Sequence, residues 1–257
     1  GLTISALSGL QHLSGEPGRT PMGTGTNYPD HLPNPCHAAF AVLAALHHRR
    51  ATGQGQFIDF AQTEPTIALV GPAVTDYLAN GRVAERCGND HWHAAPHGAY
   101  PCRDGRWIAI AVQTDAQWRA LAAVLEVADD QWSSASVRHT RRQTLDARIT
   151  ECTANRDAHA LMHELQARGV PAGVLADIAE LVDHDPQLAH RGHWVRLEHA
   201  EMGRTLYNAP PFRLSRTGFN MNAAAPRLGE HTDEVCRDLL GLDDAQLRRL
   251  RADGVFE

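Results

Sequence analysis

The 257 residues set a prior of one large domain or two small ones, at roughly 150 residues per domain, and an apolar share of 43% suffices for a core of that size. Charged residues make up 21%, with 24 Lys and Arg against 30 Asp and Glu and a formal charge of -6, which excludes a disordered tail and argues against general nucleic-acid binding, since phosphate neutralisation needs surplus cations. The longest apolar run, Ala38 to Leu46, is about half of the ~20 residues a membrane span needs, and the opening GLTISALSGL lacks the basic leader of a signal peptide, so no membrane association is expected. Five cysteines, Cys36, Cys87, Cys102, Cys152 and Cys236, are scattered without a CxxC pair, which predicts free thiols and a reducing, cytoplasmic setting.

Residues 1–14 carry a weak apolar pattern ending in Gly-rich turns, and 15–35 are rich in Gly and Pro and read as an extended loop. HAAFAVLAALHHRR, residues 37–50, reads as a helix. Asn34 can cap it, Pro35 suits its first position and Thr52-Gly53 stops it. Its first three turns are apolar nearly all round, which predicts burial on most sides, Cys36 included. The basic end, His47-His48-Arg49-Arg50, complements the negative end of the helix dipole. Gln56 to Phe60 predicts a short strand, and Thr63 to Leu78 a second helix.

Residues 79–98, polar and rich in Gly and His, read as a long linker or active-site loop. Trp107 to Val112 is a buried strand, with Asp104-Gly105 as the turn before it. Ala116 to Leu125 and Arg141 to Arg168 are helical, and residues 169–175 turn into a short strand. Trp194 to Glu198 and Thr205 to Tyr207 form a hairpin around Glu201-Met202-Gly203. Thr232 to Leu240 is a helix stopped by Gly241, and Asp243 to Ala252 another, stopped by Gly254. The mixed order predicts one α/β body around a smaller α+β insertion at roughly 95–190.

Asp30, in NYPDHLPNPCH, precedes the helix start, where free N–H groups and positive potential keep an acid ionised and able to act as a nucleophile. Spacing alone favours the plainer reading, an Asx-turn before Pro33. His91, His93 and His97 invite a zinc reading, against which stands the absence of HExxH and of an evident carboxylate or Cys partner; the alternative is a polar loop. Gly53-Gln54-Gly55 follows a helix and so fits a C-cap rather than a phosphate cradle. Cys36 and His37 diverge by about 100° on a helix, which argues against a thiolate–imidazole pair.

Five stretches together carry a resemblance: ALSGLQHLSGEPGRTP (6–21), HAAFAVLAALHHRRATGQGQFIDFAQTE (37–64), APHGAYPCRDGRWIAIAV (95–112), GVPAGVLADIAELVDHDPQLAHRG (169–192) and LGEHTDEVCRDLLGL (228–242). The chain resembles the family III CoA-transferases, the formyl-CoA transferase and carnitine CoA-transferase group, and YPDHxxNPxHAA is most similar to the subgroup near benzylsuccinate CoA-transferases. The resemblance implies the family III CoA-transferase fold, α/β class: a large Rossmann-like domain, partial here because the family's N-terminal third has no counterpart, a smaller inserted α+β domain, and an interlocked homodimer. In those terms residues 1–80 are the C-terminal part of the large-domain helical region with the nucleophile loop, 81–95 a linker, 96–190 the small α+β domain and 191–257 the return to the large domain.

The implied activity is transfer of coenzyme A from an acyl-CoA donor to a carboxylic acid acceptor, with coenzyme A as substrate and no permanently bound cofactor or metal. The family's nucleophilic Asp falls on Asp30, the only acidic residue between Glu16 and Asp59. A flexible Gly-containing loop that stabilises the oxyanion falls on roughly Gly88 to Gly98, with Gly98 as its glycine. Arg49, Arg50 and Arg103 could serve as carboxylate forks. The expected partners are a second copy, giving a homodimer, or a chain supplying the N-terminal part. Two alternatives remain: a non-catalytic or half-subunit partner completing another chain's CoA site, and a 2-methylacyl-CoA racemase. The racemase needs a Glu where this chain has Gln113, Thr114 and Asp115.

Overall fold

The computed structural model describes residues 1–127 and 130–256, which form two units, 1–175 and 176–257. The first unit opens with helices α1 (Leu2–Leu7), α2 (Tyr28–His31) and α3 (Pro33–Thr52). Leu32, at φ -123 and ψ -73, separates α2 from α3, next to a Pro33 ring that disfavours helical geometry at the residue before it. α3 therefore starts earlier than expected, with Leu32 as its cap and Pro33 in its first turn. Asn34 lies inside that turn instead of capping it. The stop is as expected: Gly53 takes φ 76 and its N–H donates to Arg49 O, a left-handed C-cap that only glycine adopts without strain.

The expectation that α3 is buried on most sides is corrected. Phe40 is 76% and Leu43 66% exposed, and Cys36 is exposed as well. An all-round apolar helix needs cover on several sides, and α3 packs chiefly against α2 and against α4 (Thr63–Leu69). Gln56–Phe60 is irregular and not the expected strand; among the described residues no strand pairs with it, and Phe57 projects into solvent. The helix expected over Thr63–Leu78 is broken into α4 and α5 (Gly71–Asn80). Pro72 supplies no N–H to continue the ladder and restricts Gly71 before it.

Strands β1 (His97–Pro101), β2 (Trp107–Ala111) and β3 (Ala172–Val174) form an antiparallel sheet in the order β1-β2-β3. Tyr100 pairs with Ile108 and Gly98 with Ile110, and Gly105 turns the hairpin at φ 77. The side chains of Tyr100, Ile108 and Ile110 enter the core with Val112. Against that face pack α6 (Asp115–Leu125), α8 (Arg142–Thr153) and α9 (Ala158–Ala167), which contribute Trp118, Leu121, Leu145, Ile149, Leu161 and Leu165. α7 (Ala135–Thr140) leads into α8. Thr114 and Gln117 close a capping box on α6. The single helix expected over Arg141–Arg168 is interrupted at Asn155-Arg156-Asp157. There Asp157 caps α9 by accepting from Ala160 N at 2.9 Å, and Arg156 Nη1 donates to Val124 O at 3.0 Å.

In the second unit, Asp177 and Asp185 cap the short helices α10 (Ile178–Asp183) and α11 (Pro186–Arg191). β4 (Trp194–His199) and β5 (Gly203–Asn208) form the expected hairpin, with the pairing carried further towards the turn, through His199 and Gly203, and one residue further at the end of β5. α12 (Thr232–Leu240) ends at Gly241, φ 66, and α13 (Asp244–Ala252) starts on an Asp243–Gln246 capping box. No helix among the described residues is long and apolar enough to cross a membrane.

Candidate active site

Asp30 stands on α2, a single turn held by Asp30 N–H donating to Asn27 O at 2.9 Å and by Leu32 N–H donating to Tyr28 O at 3.1 Å. Its carboxylate is about one-third exposed. A second turn follows at once, with Cys36 N–H donating to Leu32 O at 3.4 Å. Pro33 and Pro35 have no N–H, so Asn34 alone among residues 33–35 brings a backbone donor to the start of α3. Asn34 is 4% exposed, and among the described residues neither Oδ1 nor Nδ2 has a hydrogen-bond partner. Cys36 and His37 both point to solvent.

Gly98 is in strand β1, not in a loop. Val112 N–H donates to Pro96 O at 2.9 Å and Cys102 N–H to Arg106 O at 2.8 Å. In the alternation of an antiparallel ladder this makes Gly98–Ile110 a hydrogen-bonded pair, so the Gly98 amide faces β2. A Cβ on Gly98 would stand 3.1 Å from Tyr100 Oη and 3.2 Å from Cζ. The glycine thus leaves room for the Tyr100 ring, which reaches Asp146 Oδ1 at 2.6 Å. Burial and the Asp146 carboxylate hold the Tyr100 phenol far above its ordinary range, and burial raises Asp146, opposed by the phenol's hydrogen bond. Gly98 also borders a cleft of about 570 Å³ with Asn89, His97, Ala99, Ala109 and Gly173 among its walls. Asp30 is not part of that lining.

The imidazoles of the preceding loop engage one another. His91 stacks on His97 with ring centroids 5.2 Å apart and meets His93 edge-on at 6.1 Å. His91 Nδ1 accepts from His93 N–H at 3.1 Å, and His97 Nδ1 lies 2.5 Å from Asn89 O. Desolvation, then the neighbouring His97, His93 and His139, push His91 below the usual imidazole range. Among the described residues no group of three His, Cys, Asp or Glu is arranged to hold a metal ion. Arg49 and Arg50 are exposed in the last turn of α3, and Arg103 is exposed in the β1–β2 turn.

Sequence reasoning missed Arg138. Its guanidinium, 1% exposed, clamps the segment that leads from the loop into β1. Nε donates to Ala95 O at 3.1 Å, Nη1 to Trp132 O at 2.8 Å and Ser133 O at 3.1 Å, and Nη2 to Asp115 Oδ1 at 2.6 Å. Its Cζ sits 5.3 Å from the Trp118 ring centroid. Three of the four acceptors are backbone carbonyls, which leave no trace in sequence. The Gly98–Tyr100 pairing did leave one, since residues two apart on a strand share a face.

Residues 1–232 match the model of CoA-transferase family III. The chain is 32% identical over 256 residues to a succinyl-CoA–D-citramalate CoA-transferase of Chloroflexus aurantiacus, covering 98% of this chain and 63% of that protein. It is 31% identical to the β subunit of a succinyl-CoA–L-malate CoA-transferase from the same organism, with the same coverage of each. A crystal structure of a CaiB/BaiF family protein from Brucella suis superposes with a TM-score of 0.81 at 28% identity, over 93% of this chain and 62% of that one. The chain thus spans a little under two thirds of the length of the curated relatives it matches. On the family match and the superposition, this chain belongs to CoA-transferase family III.

Proposed function

We propose that this chain takes part in transferring coenzyme A from an acyl-CoA to a carboxylic acid, with Asp30 as nucleophile and dicarboxylic acids as the substrate class. The observation that carries the reading is the placement of Asp30: a partly exposed carboxylate on the turn that feeds the longest helix of a family III chain. The substrate class rests on the citramalate and malate transferases the chain is similar to. Asp30 attacks the thioester carbonyl and expels the CoA thiolate, leaving a mixed anhydride. The thiolate then attacks the aspartyl carbonyl, releasing the acyl carboxylate and storing activation as an enzyme–CoA thioester. The acceptor carboxylate reverses both steps. Each step develops an oxyanion that needs N–H donors, and the loop from Gly88 towards Gly98 is the second part of this proposal. Because the Gly98 amide faces β2, the role left to Gly98 is to leave room for the Tyr100 ring beneath the loop, and donors come from residues before Pro96.

The assembly proposed is a homodimer or a complex with a chain that covers α3. The subunit organisation of the malate transferase favours keeping a half-subunit role as the second reading. A racemase gains no support: Thr114 caps α6, and Gln113 N–H donates to Gln117 Oε1 at 2.8 Å, so these positions serve the fold. In the full protein, Asp30→Ala should lower kcat by more than about a thousandfold without loss of stability. Hydroxylamine added after acyl-CoA should tag Asp30. Full activity in Asp30→Ala would refute the assignment.

A further inference from the structure

We propose that the loop from Asn89 to His97 is a proton-operated catch: it keeps its folded form while His91 is neutral and releases when that imidazole takes a proton. The device stands whether or not Asp30 is the nucleophile. Its starting point is the way three imidazoles share one short loop. His97 Nδ1 lies 2.5 Å from Asn89 O, so Nδ1 carries a hydrogen, donates it to that carbonyl and ties the two ends of the loop together. His91 Nδ1 accepts from His93 N–H at 3.1 Å, so the hydrogen of neutral His91 sits on Nε2. The His91 and His97 rings stack, with centroids 5.2 Å apart. His93 meets His91 edge-on and stacks in turn on Trp92.

A proton arriving at these rings has unequal consequences. His97 takes it on Nε2 and keeps its bond to Asn89 O. His91 can take it only on Nδ1, the atom that already accepts. The new N–H then faces the His93 N–H, one hydrogen bond is lost, and a positive charge appears between two imidazoles.

The surroundings offer little relief. Asp90, next in the chain, is held by Arg142 Nε of α8 at 2.8 Å. Asp146, on the same helix, accepts from the Tyr100 hydroxyl at 2.6 Å. From α7, His139 acts on His91 as a further imidazole, while Arg138 beside it donates to Ala95 O. The Glu16 carboxylate lies against Gly88, before the loop. Desolvation, followed by His97, His93 and His139, accordingly pushes His91 below the usual imidazole range.

In a released loop His91 regains an ordinary imidazole's pKa of about 6.5. The folded loop therefore has its full stability above about pH 6.5 and loses it as the pH falls, because acid protonates the released form first. Asn89 and His97 both line the cleft of about 570 Å³, so release unties two of its lining residues from each other.

The test follows hydrogen exchange of the peptide over residues 88–97 in the full protein by mass spectrometry, with rates corrected for the intrinsic effect of pH. Between about pH 7.5 and about pH 5.5 the wild-type loop should lose about two- to tenfold of its protection, the upper bound being the protonated-to-neutral ratio of a free imidazole one unit below its pKa. His91→Asn removes the titration and keeps an acceptor for His93 N–H, so its protection should not change with pH. Exchange at the imidazole Cε1–H supplies a second reading on the wild-type protein, where His91 should show a midpoint below that of an exposed imidazole. An equal loss of protection in His91→Asn, or none in the wild-type protein, overturns the proposal. So does a His91 midpoint at or above about 6.5, and that reading decides by itself should His91→Asn fail to fold.

Discussion

Replacing Arg138 by methionine should cost about 3–5 kcal/mol of stability, the range for breaking a buried charged contact by removing one partner. The guanidinium serves four acceptors, and their environments differ. Ala95 and Trp132 are buried, and Ser133 O lies in a partly buried bond. Each orphaned buried carbonyl costs about 1–3 kcal/mol. The Asp115 side chain is 59% exposed and rehydrates almost freely once released. Lost stacking on Trp118 adds roughly 1 kcal/mol, and relief of the guanidinium's desolvation offsets part of the total. Urea unfolding followed by tryptophan fluorescence reads this directly, because Trp118 and Trp132 belong to the same core. Asp115→Asn, which leaves the three carbonyl bonds in place, should lose less than about 1 kcal/mol. A loss under about 1 kcal/mol for Arg138→Met would refute the view that the clamp holds the entry to β1.

Tyr100 supplies a pH test. Its phenol is raised in the folded state by burial and by Asp146, so its contribution is complete below the unfolded phenol's pKa of about 10 and is lost as pH climbs above it, where only the unfolded chain ionises. Denaturant midpoints at pH 8 and above pH 10 should show this extra alkaline loss in wild type and not in Tyr100→Phe. Gly98→Ala should destabilise by roughly 1 kcal/mol through crowding of the Tyr100 ring, with a smaller penalty in the Tyr100→Phe background because the nearest atom, Oη, is gone; equal penalties would separate the glycine from the tyrosine. Phe40→Lys combined with Leu43→Lys should shift light scattering towards smaller species, and unchanged assembly would mean that this face of α3 is not covered.

Parts of the fold were legible in the sequence wherever one residue acts locally. Gly53 and Gly241 stop their helices as read, and the Ile108, Ile110 and Val112 alternation marks the buried strand. The start of α3 was misplaced because Asn34-Pro35 and Leu32-Pro33 offer competing starts, and Pro33 prevails by restricting Leu32. The interruption before α9 was missed because Asp157 caps it within a run that otherwise has helical composition. The burial expected for α3, and the strand expected at Gln56–Phe60, failed for a common reason: an apolar surface announces that it wants a neighbour and does not say where the neighbour comes from. At the candidate site, Asp30 was legible as a lone acid before an apolar helix, and the resemblance gave it a role. Gly98 was legible as a glycine and not as a member of a strand. Asn34 was misread because a cap and an uncapped buried amide look alike in one dimension.

The uncovered face of α3 also bears on how the chain comes apart. The core built on β1, β2, α6, α8 and α9 closes on itself, so the opening free energy of its amides should not depend on protein concentration. Apolar side chains on α3 that a second chain covers gain about 1.5–3 kcal/mol each when fully buried, and only while that chain is bound. Amides of α3 should then lose hydrogen-exchange protection on dilution, while those of Ile108 and Ile110 in the same unit keep theirs. Dilution would thereby loosen the helix that follows Asp30 before it touched the domain beneath Gly98.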